Sequence, residues 1–216
     1  MEILYQKSVD LGRVADLCEV GIHRDPPQPR DTKMWHVSSL LKAGKSIIKG
    51  KVEYSDSGPA SMPSIAALGR IWETAMDCYM TDYVKRELGG YFQPDVVLDE
   101  DGICGSLDGL LLGAELLGAE DGAVYECKLR FTLNQDIPLD HLRQIRAYCH
   151  LAGVDTVCYV SGHLSSAPPL VQATMRWLRL TKASIEENWQ GLVNTKKYLE
   201  SQGIGPGKEE QYVESQ

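Results

Sequence analysis

The stretch Val124-Tyr-Glu-Cys-Lys-Leu-Arg130 begins with the apolar alternation of a buried strand, then places Glu126 and Lys128 two residues apart. Successive strand side chains alternate faces, so these two share one face and Cys127 takes the other. Asp108, in Gly-Ser-Leu-Asp-Gly, lies eighteen residues earlier, at or near the end of another strand-like run. If the two runs pair as a hairpin, Asp108 lies beside Glu126, and two adjacent carboxylates need a cation. Hard oxygen donors suit Mg2+ or Mn2+ and not a thiophilic metal. The backbone carbonyl of Cys127 offers a further ligand whatever its side chain. Lys128 then sits one strand step from the cation, where it can orient an attacking water or stabilise charge on a phosphate. Taken alone, Glu-x-Lys reads better as an ion pair on a solvated face, because the pattern is short.

Two further groups shift that balance. In Gly69-Arg-Ile-Trp-Glu73, the glutamate lies one helical turn after a glycine and borders the apolar stripe. The glycine would let the helix approach a sheet closely and bring Glu73 to the metal. By itself the pattern reads as a surface glutamate. In Gln144-Ile-Arg-Ala-Tyr148, the glutamine and tyrosine are i and i+4 and share a helix face. Arg143 and Arg146 flank them and could contact phosphates.

The elements that must hold these residues follow from periodicity and breakers. Residues 1–22 read as helical, and 23–33 form a Pro-rich connector that cannot continue a helix. A short helix over 35–50 precedes a loop ending at Pro63, a residue suited to a helix's first turn. From Ser64 to about Leu88 apolar residues recur at helical spacing. Strands are predicted at 91–99, 103–113 and 123–131, a helix at 138–153, strands at 155–162 and 174–181, and a closing helix at 183–201. This order predicts an α/β fold, a mixed central sheet flanked by helices. The expected organisation is an N-terminal helical segment and connector (1–62) packed on a core (63–201), then a disordered tail (202–216).

Composition bounds the function. The chain has 216 residues, 43% of them hydrophobic, and carries a net charge of −8. Mean hydropathy is −0.24. No run reaches the roughly 18 apolar residues of a membrane span, and the N-terminus lacks a signal-peptide pattern. A cytoplasmic location follows as the expectation, in a bacterium or in a virus's host cell. The six cysteines include no C-x-x-C pair, which argues for reduced, mostly buried thiols. The acidic balance excludes a whole-surface grip on nucleic acid but allows a local basic groove. Basic residues gather at 128–131, 141–146 and 176–182.

Taken in order, Gly69-x3-Glu73, Asp108, Glu126-x-Lys128 and Gln144-x3-Tyr148 resemble the PD-(D/E)XK nuclease superfamily, in its RecB-like and phage lambda-type exonuclease branch. The resemblance covers about residues 64–162. It implies a restriction-endonuclease-like αβββαβ core and Mg2+-dependent DNA hydrolysis, with Mn2+ able to substitute. It implies Asp108 and Glu126 as metal ligands, with Cys127 contributing its carbonyl, and Lys128 as the catalytic lysine. Gln144 and Tyr148 match the motif that contacts DNA and positions the lysine. Glu73 stands where many RecB-type members carry His. No cysteine follows Cys158, which excludes the iron–sulfur cluster of some relatives. Pro29-Arg-Asp-Thr-Lys-Met-Trp-His-Val-Ser-Ser-Leu40 resembles a segment whose arginine and serine hold a 5′ phosphate, a role that falls here on Arg30 and Ser38. On their own these two read as a connector arginine and a helix-start serine.

The expected function is an exonuclease acting on DNA with a free end, in recombination, repair or viral DNA processing. Its expected partners are DNA, further copies of itself in a ring, and a single-strand annealing or recombination protein, with no membrane. The alternatives are an endonuclease of restriction or junction-resolving type and a non-catalytic module that binds DNA ends.

Overall fold

The computed structural model describes residues 1–19, 33–55, 63–113, 122–130, 136–164, 171–206 and 211–213. The chain opens with strand β1 (Glu2–Ser8) and helix α1 (Leu11–Glu19). A two-residue strand β2 (Trp35–His36) runs straight into α2 (Val37–Ile48), and β3 (Val52–Tyr54) follows. Helix α3 (Pro63–Tyr83) ends in a π-helical turn (Val84–Leu88), closed by Gly89 at φ 66°. Then come β4 (Tyr91–Glu100), β5 (Ile103–Leu112), β6 (Ala123–Arg130), α4 (Leu139–Ala152), β7 (Thr156–Leu164), β8 (Val171–Arg179), α5 (Lys182–Ser201) and β9 (Gln211–Val213).

Among the described residues, the main sheet has seven strands. Its order is β1-β8-β7-β6-β5-β2, with β4 also paired to β5. β6 and β7 are parallel and joined by α4, while β4–β5, β5–β6, β7–β8 and β1–β8 are antiparallel. The segment from α3 to β7 thus reproduces the expected αβββαβ order. Layering follows the apolar faces. Trp72, Met76, Tyr79, Met80 and Tyr83 of α3 pack with Tyr125, Cys127, Val160 and Trp177 on one side of the sheet. On the other side, α2, α4 and α5 bring Leu40, Ile145, Tyr148, Trp189 and Leu192 against Val124, Val157 and Tyr159.

Two expectations need correction. Residues 2–8 are not helical but an antiparallel edge strand on β8. Five of its seven residues are exposed and none is buried, so no period-2 burial signal marks it. Pairing with the open edge of β8 outweighs local propensity. In the tail expected to be disordered, residues 211–213 pair antiparallel with β3. Three residues suffice because β3 presents an otherwise open edge whose main-chain groups take partners readily. Among the described residues, no helix is long and apolar enough to cross a membrane.

Candidate active site

Strand β4 pairs with β5 from Tyr91↔Leu112 to Glu100↔Ile103 and so occupies one edge throughout. The other edge is shared: β6 takes it at 109–111 and β2 at 103–104. Residues 105–108 between them face a fork, with β6 diverging on one side and the start of α2 on the other. Asp108 sits in that fork.

Asp108 also marks a fault in the ladder. Pro94↔Gly109 and Val96↔Leu107 leave Asp95 opposite it, at φ 53°, a left-handed conformation that Asp tolerates better than most residues. Leu107 packs in the α4-side core and Leu111 in the α3-side core. Four residues apart in a regular strand they would share a face, so β5 turns over at Asp108. Its Oδ2 accepts the Cys127 backbone N–H at 2.7 Å.

On β6, Val124 lies in the α4-side core, and Tyr125 and Cys127 in the α3-side core. Glu126 and Lys128 therefore point toward α4, as alternation predicts. Lys128 Nζ lies 2.5 Å from Glu126 Oε1 and 3.4 Å from Asp108 Oδ2. The Glu126 side chain is wholly buried, and no well-angled hydrogen bond reaches either oxygen from the described residues. Burial, then the Asp108 charge, push its carboxyl up to about 8 despite the opposing Lys128 ammonium. Burial pulls Lys128 down, yet the Asp108 and Glu126 charges together outweigh it and hold the ammonium well above its usual range.

The Cys127 thiol is buried on the far side. A strand residue turns its N–H and C=O toward the same neighbour, so the Cys127 carbonyl shares the edge that faces Asp108. Glu73 is near enough for its charge to raise Glu126 further. Among the described residues, no group of three or more His, Cys, Asp or Glu is disposed to hold a metal.

Gln144 Nε2 donates to the Tyr148 hydroxyl at 2.6 Å. The Tyr148 ring lies directly over Gly105, where a Cβ would stand 2.9 Å from the ring and 2.8 Å from Leu151. That glycine lets α4 settle onto β5. Burial, then the Glu126 charge, raise the Tyr148 phenol, which places it beside the carboxylates. Arg143 and Arg146 lie elsewhere on α4: both line a groove of about 510 Å³ between α2, α4 and α5, with Leu40, Ile47 and Leu192. Ser38 is half-buried in the first turn of α2, and Arg30 lies outside the described residues.

Sequence reasoning missed two residues here. His141 Nδ1 lies 2.8 Å from the hydroxyl of Tyr159, and Tyr159 is in register with Glu126 on β7. The signal for His141 was its place three residues before Gln144, on the same helix face.

Among solved structures, the alkaline exonuclease LHK-Exo of Laribacter hongkongensis overlays with a TM-score of 0.53 at 13% identity, covering 79% of this chain and 90% of that one. The fold is restriction-endonuclease-like. A second structure of LHK-Exo, in complex with dAMP, gives a TM-score of 0.51 over the same shares at the same identity. A phage-related exonuclease from Haemophilus somnus 129PT overlays more loosely, with a TM-score of 0.45 at 10% identity, covering 76% of this chain and 81% of that one. No protein-family model and no curated protein matches the sequence. The likeness is thus one of restriction-endonuclease-like architecture, and its chemistry has to be argued from the fork between β5 and β6.

Proposed function

We propose that the chain is a Mg2+-dependent DNA exonuclease of the PD-(D/E)XK kind, acting in recombination, repair or viral DNA processing. One observation carries the reading: wholly buried Glu126 and neighbouring Asp108 share the single Lys128 ammonium at a fork in the sheet. One ammonium leaves the two carboxylates with an excess negative charge, and burying it is costly unless a cation offsets it. Two such groups with a main-chain carbonyl form an all-oxygen donor set suited to Mg2+ or Mn2+. The reading is further supported by a fold shared with an alkaline exonuclease that has been solved with dAMP.

In this reading Asp108, Glu126 and the Cys127 carbonyl hold the cation. Bound there, Mg2+ supplies Lewis-acid polarisation of the phosphate and eases deprotonation of the attacking water. Lys128 offsets the negative charge that builds on the phosphate oxygens during attack. Tyr148, fixed by Gln144, orients Lys128 and a strand phosphate. Arg30 and Ser38 take a terminal 5′ phosphate, the extra charge that distinguishes an end from an internal position. A ring of copies around the strand would compensate for the acidic surface, since affinity for DNA comes mainly from neutralising phosphates. An annealing or recombination protein would then receive the strand that is left.

End-labelled linear DNA incubated with Mg2+, with and without chelator, is the test. Release of label from linear DNA and intact covalently closed circles are expected. Rapid nicking of closed circles would promote an endonuclease, and no cleavage of either substrate would leave an end-binding module.

A further inference from the structure

His141, Gln144 and Tyr148 lie at i, i+3 and i+7 on α4, one face that meets the site. His141 is half-buried there, and its Nδ1 lies 2.8 Å from the Tyr159 hydroxyl. Tyr159 is fully buried, and burial pushes its phenol up to about 12, so it keeps its proton. Among the described residues His141 is the one partner of that hydroxyl. Were the phenol the acceptor, its own proton would be buried without a partner, a loss of about 1–3 kcal/mol. The phenol therefore donates to Nδ1, and the imidazole carries its proton on Nε2.

With Nδ1 taken by the Tyr159 hydroxyl, Nε2–H is the donor the imidazole has left to offer. Burial, then the charges of Lys128 and Arg130, lower the imidazole to about 4, with Asp140 opposing. It is a neutral donor beside two cations. Arg130 lies two residues beyond Lys128 on the same face of β6 and donates to the Asp136 carbonyl at 2.9 Å. A phosphodiester lying over Lys128 would bring its neighbouring phosphate past this pair. A third cation there would be repelled by Lys128 and Arg130, whereas a neutral N–H gives a directional bond to phosphate oxygen without that penalty.

We infer that His141 Nε2–H, with Arg130, forms a second subsite, for the backbone phosphate next to the bond positioned at Lys128. This rests on the nuclease reading above and adds a substrate contact to it. The alternative is that His141 merely satisfies the buried Tyr159 hydroxyl. The background variant Tyr159→Phe removes that duty, so His141→Leu made within it tests Nε2 alone. Binding of a short labelled DNA is measured with Ca2+ replacing Mg2+, alongside KM and kcat with Mg2+. Within the Tyr159→Phe background, His141→Leu is expected to weaken binding and raise KM about tenfold, with a smaller change in kcat and little change in melting temperature. His141→Gln, which keeps an N–H donor, should recover part of the loss. Replacing single phosphates of the DNA by methylphosphonate should penalise the parent at one neighbouring position, and that penalty should vanish with His141→Leu. Cleavage by the parent together with equal affinity and KM in the double variant overturns the subsite alone. A wild-type protein that neither binds nor cuts DNA overturns the nuclease reading and the subsite with it.

Discussion

On the α3 side of β6, Tyr125 and Cys127 are sealed against Trp72 and Met76 in an aliphatic and aromatic core. On the α4 side of the same eight-residue strand, Glu126 and Lys128 sit beneath Tyr148, Gln144 and His141, and burial pushes the Glu126 carboxyl up to about 8. The first face contributes stability through apolar area. The second gives some stability up, because it buries charge that a plain core would have replaced by aliphatics. A strand that does both separates folding from chemistry by a single step in sequence.

The largest test of that separation exchanges neighbours on β6. Glu126→Gln and Lys128→Ala should each lower cleavage by about 10² to 10³-fold or more, with thermal melting of Glu126→Gln unchanged or raised. Tyr125→Ala should lose about 3–5 kcal/mol of stability yet keep turnover at temperatures where it stays folded. Urea unfolding beside a cleavage assay reads both. A Glu126→Gln protein that melts much earlier and still cuts DNA would mean the α4 face is a structural ion pair after all.

A second contrast uses one methyl group on each face. A Cβ at Gly162 of β7 would stand 2.5 Å from the Trp72 ring on the α3 side. A Cβ at Gly105 of β5 would meet the Tyr148 ring at 2.9 Å on the α4 side. Overpacking of this kind costs about 1–3 kcal/mol. Gly162→Ala should spend that cost on stability, whereas Gly105→Ala should displace Tyr148 and lower kcat as well. Equal kcat in the two variants would remove Tyr148 from the chemistry.

The third contrast is in pH. Glu126 ordinarily titrates at 4.5 and in the fold at about 8, so between these values the native state holds the extra proton. Stability should therefore fall as pH rises through that window and be free of the penalty below it. The slope should flatten in Glu126→Gln and persist in Tyr125→Phe. A cation binding there must displace the proton, so Mn2+ affinity should weaken by about tenfold for each pH unit below 8. Calorimetry in buffers of different ionisation enthalpy counts the protons released.

The legible parts of this molecule are those whose geometry is local. Glu126 with Lys128 and Gln144 with Tyr148 each obey a fixed period, so spacing alone placed them on shared faces. The run of strands around Asp108 was readable as well, because turns punctuate it. What spacing cannot carry is tertiary placement. β1 presents no buried face, so only the open edge of β8 explains it. The turnover of β5 at Asp108 lies across the ladder from the left-handed Asp95, and the tie from His141 to Tyr159 spans eighteen residues and two elements. Arg143 and Arg146 were read from charge, which says nothing about which side of α4 they take, and they line the α2–α5 groove.

The smallest expected effect concerns the pair that positions rather than reacts. Gln144 holds the Tyr148 hydroxyl at 2.6 Å, and the ring is already fixed by Gly105 and Leu151 beneath it. Tyr148→Phe keeps that packing and loses one hydroxyl. Gln144→Ala keeps the hydroxyl and loses its orientation. Each should lower kcat only a few-fold, in keeping with about 0.5–1.5 kcal/mol for a neutral hydrogen bond, and neither should shift melting by much. If the two act as one unit, the double variant should be no slower than the slower single, a coupling close to the full single-variant effect. Additive losses would mean that Gln144 contacts the substrate strand by itself, making it a binding group in its own right.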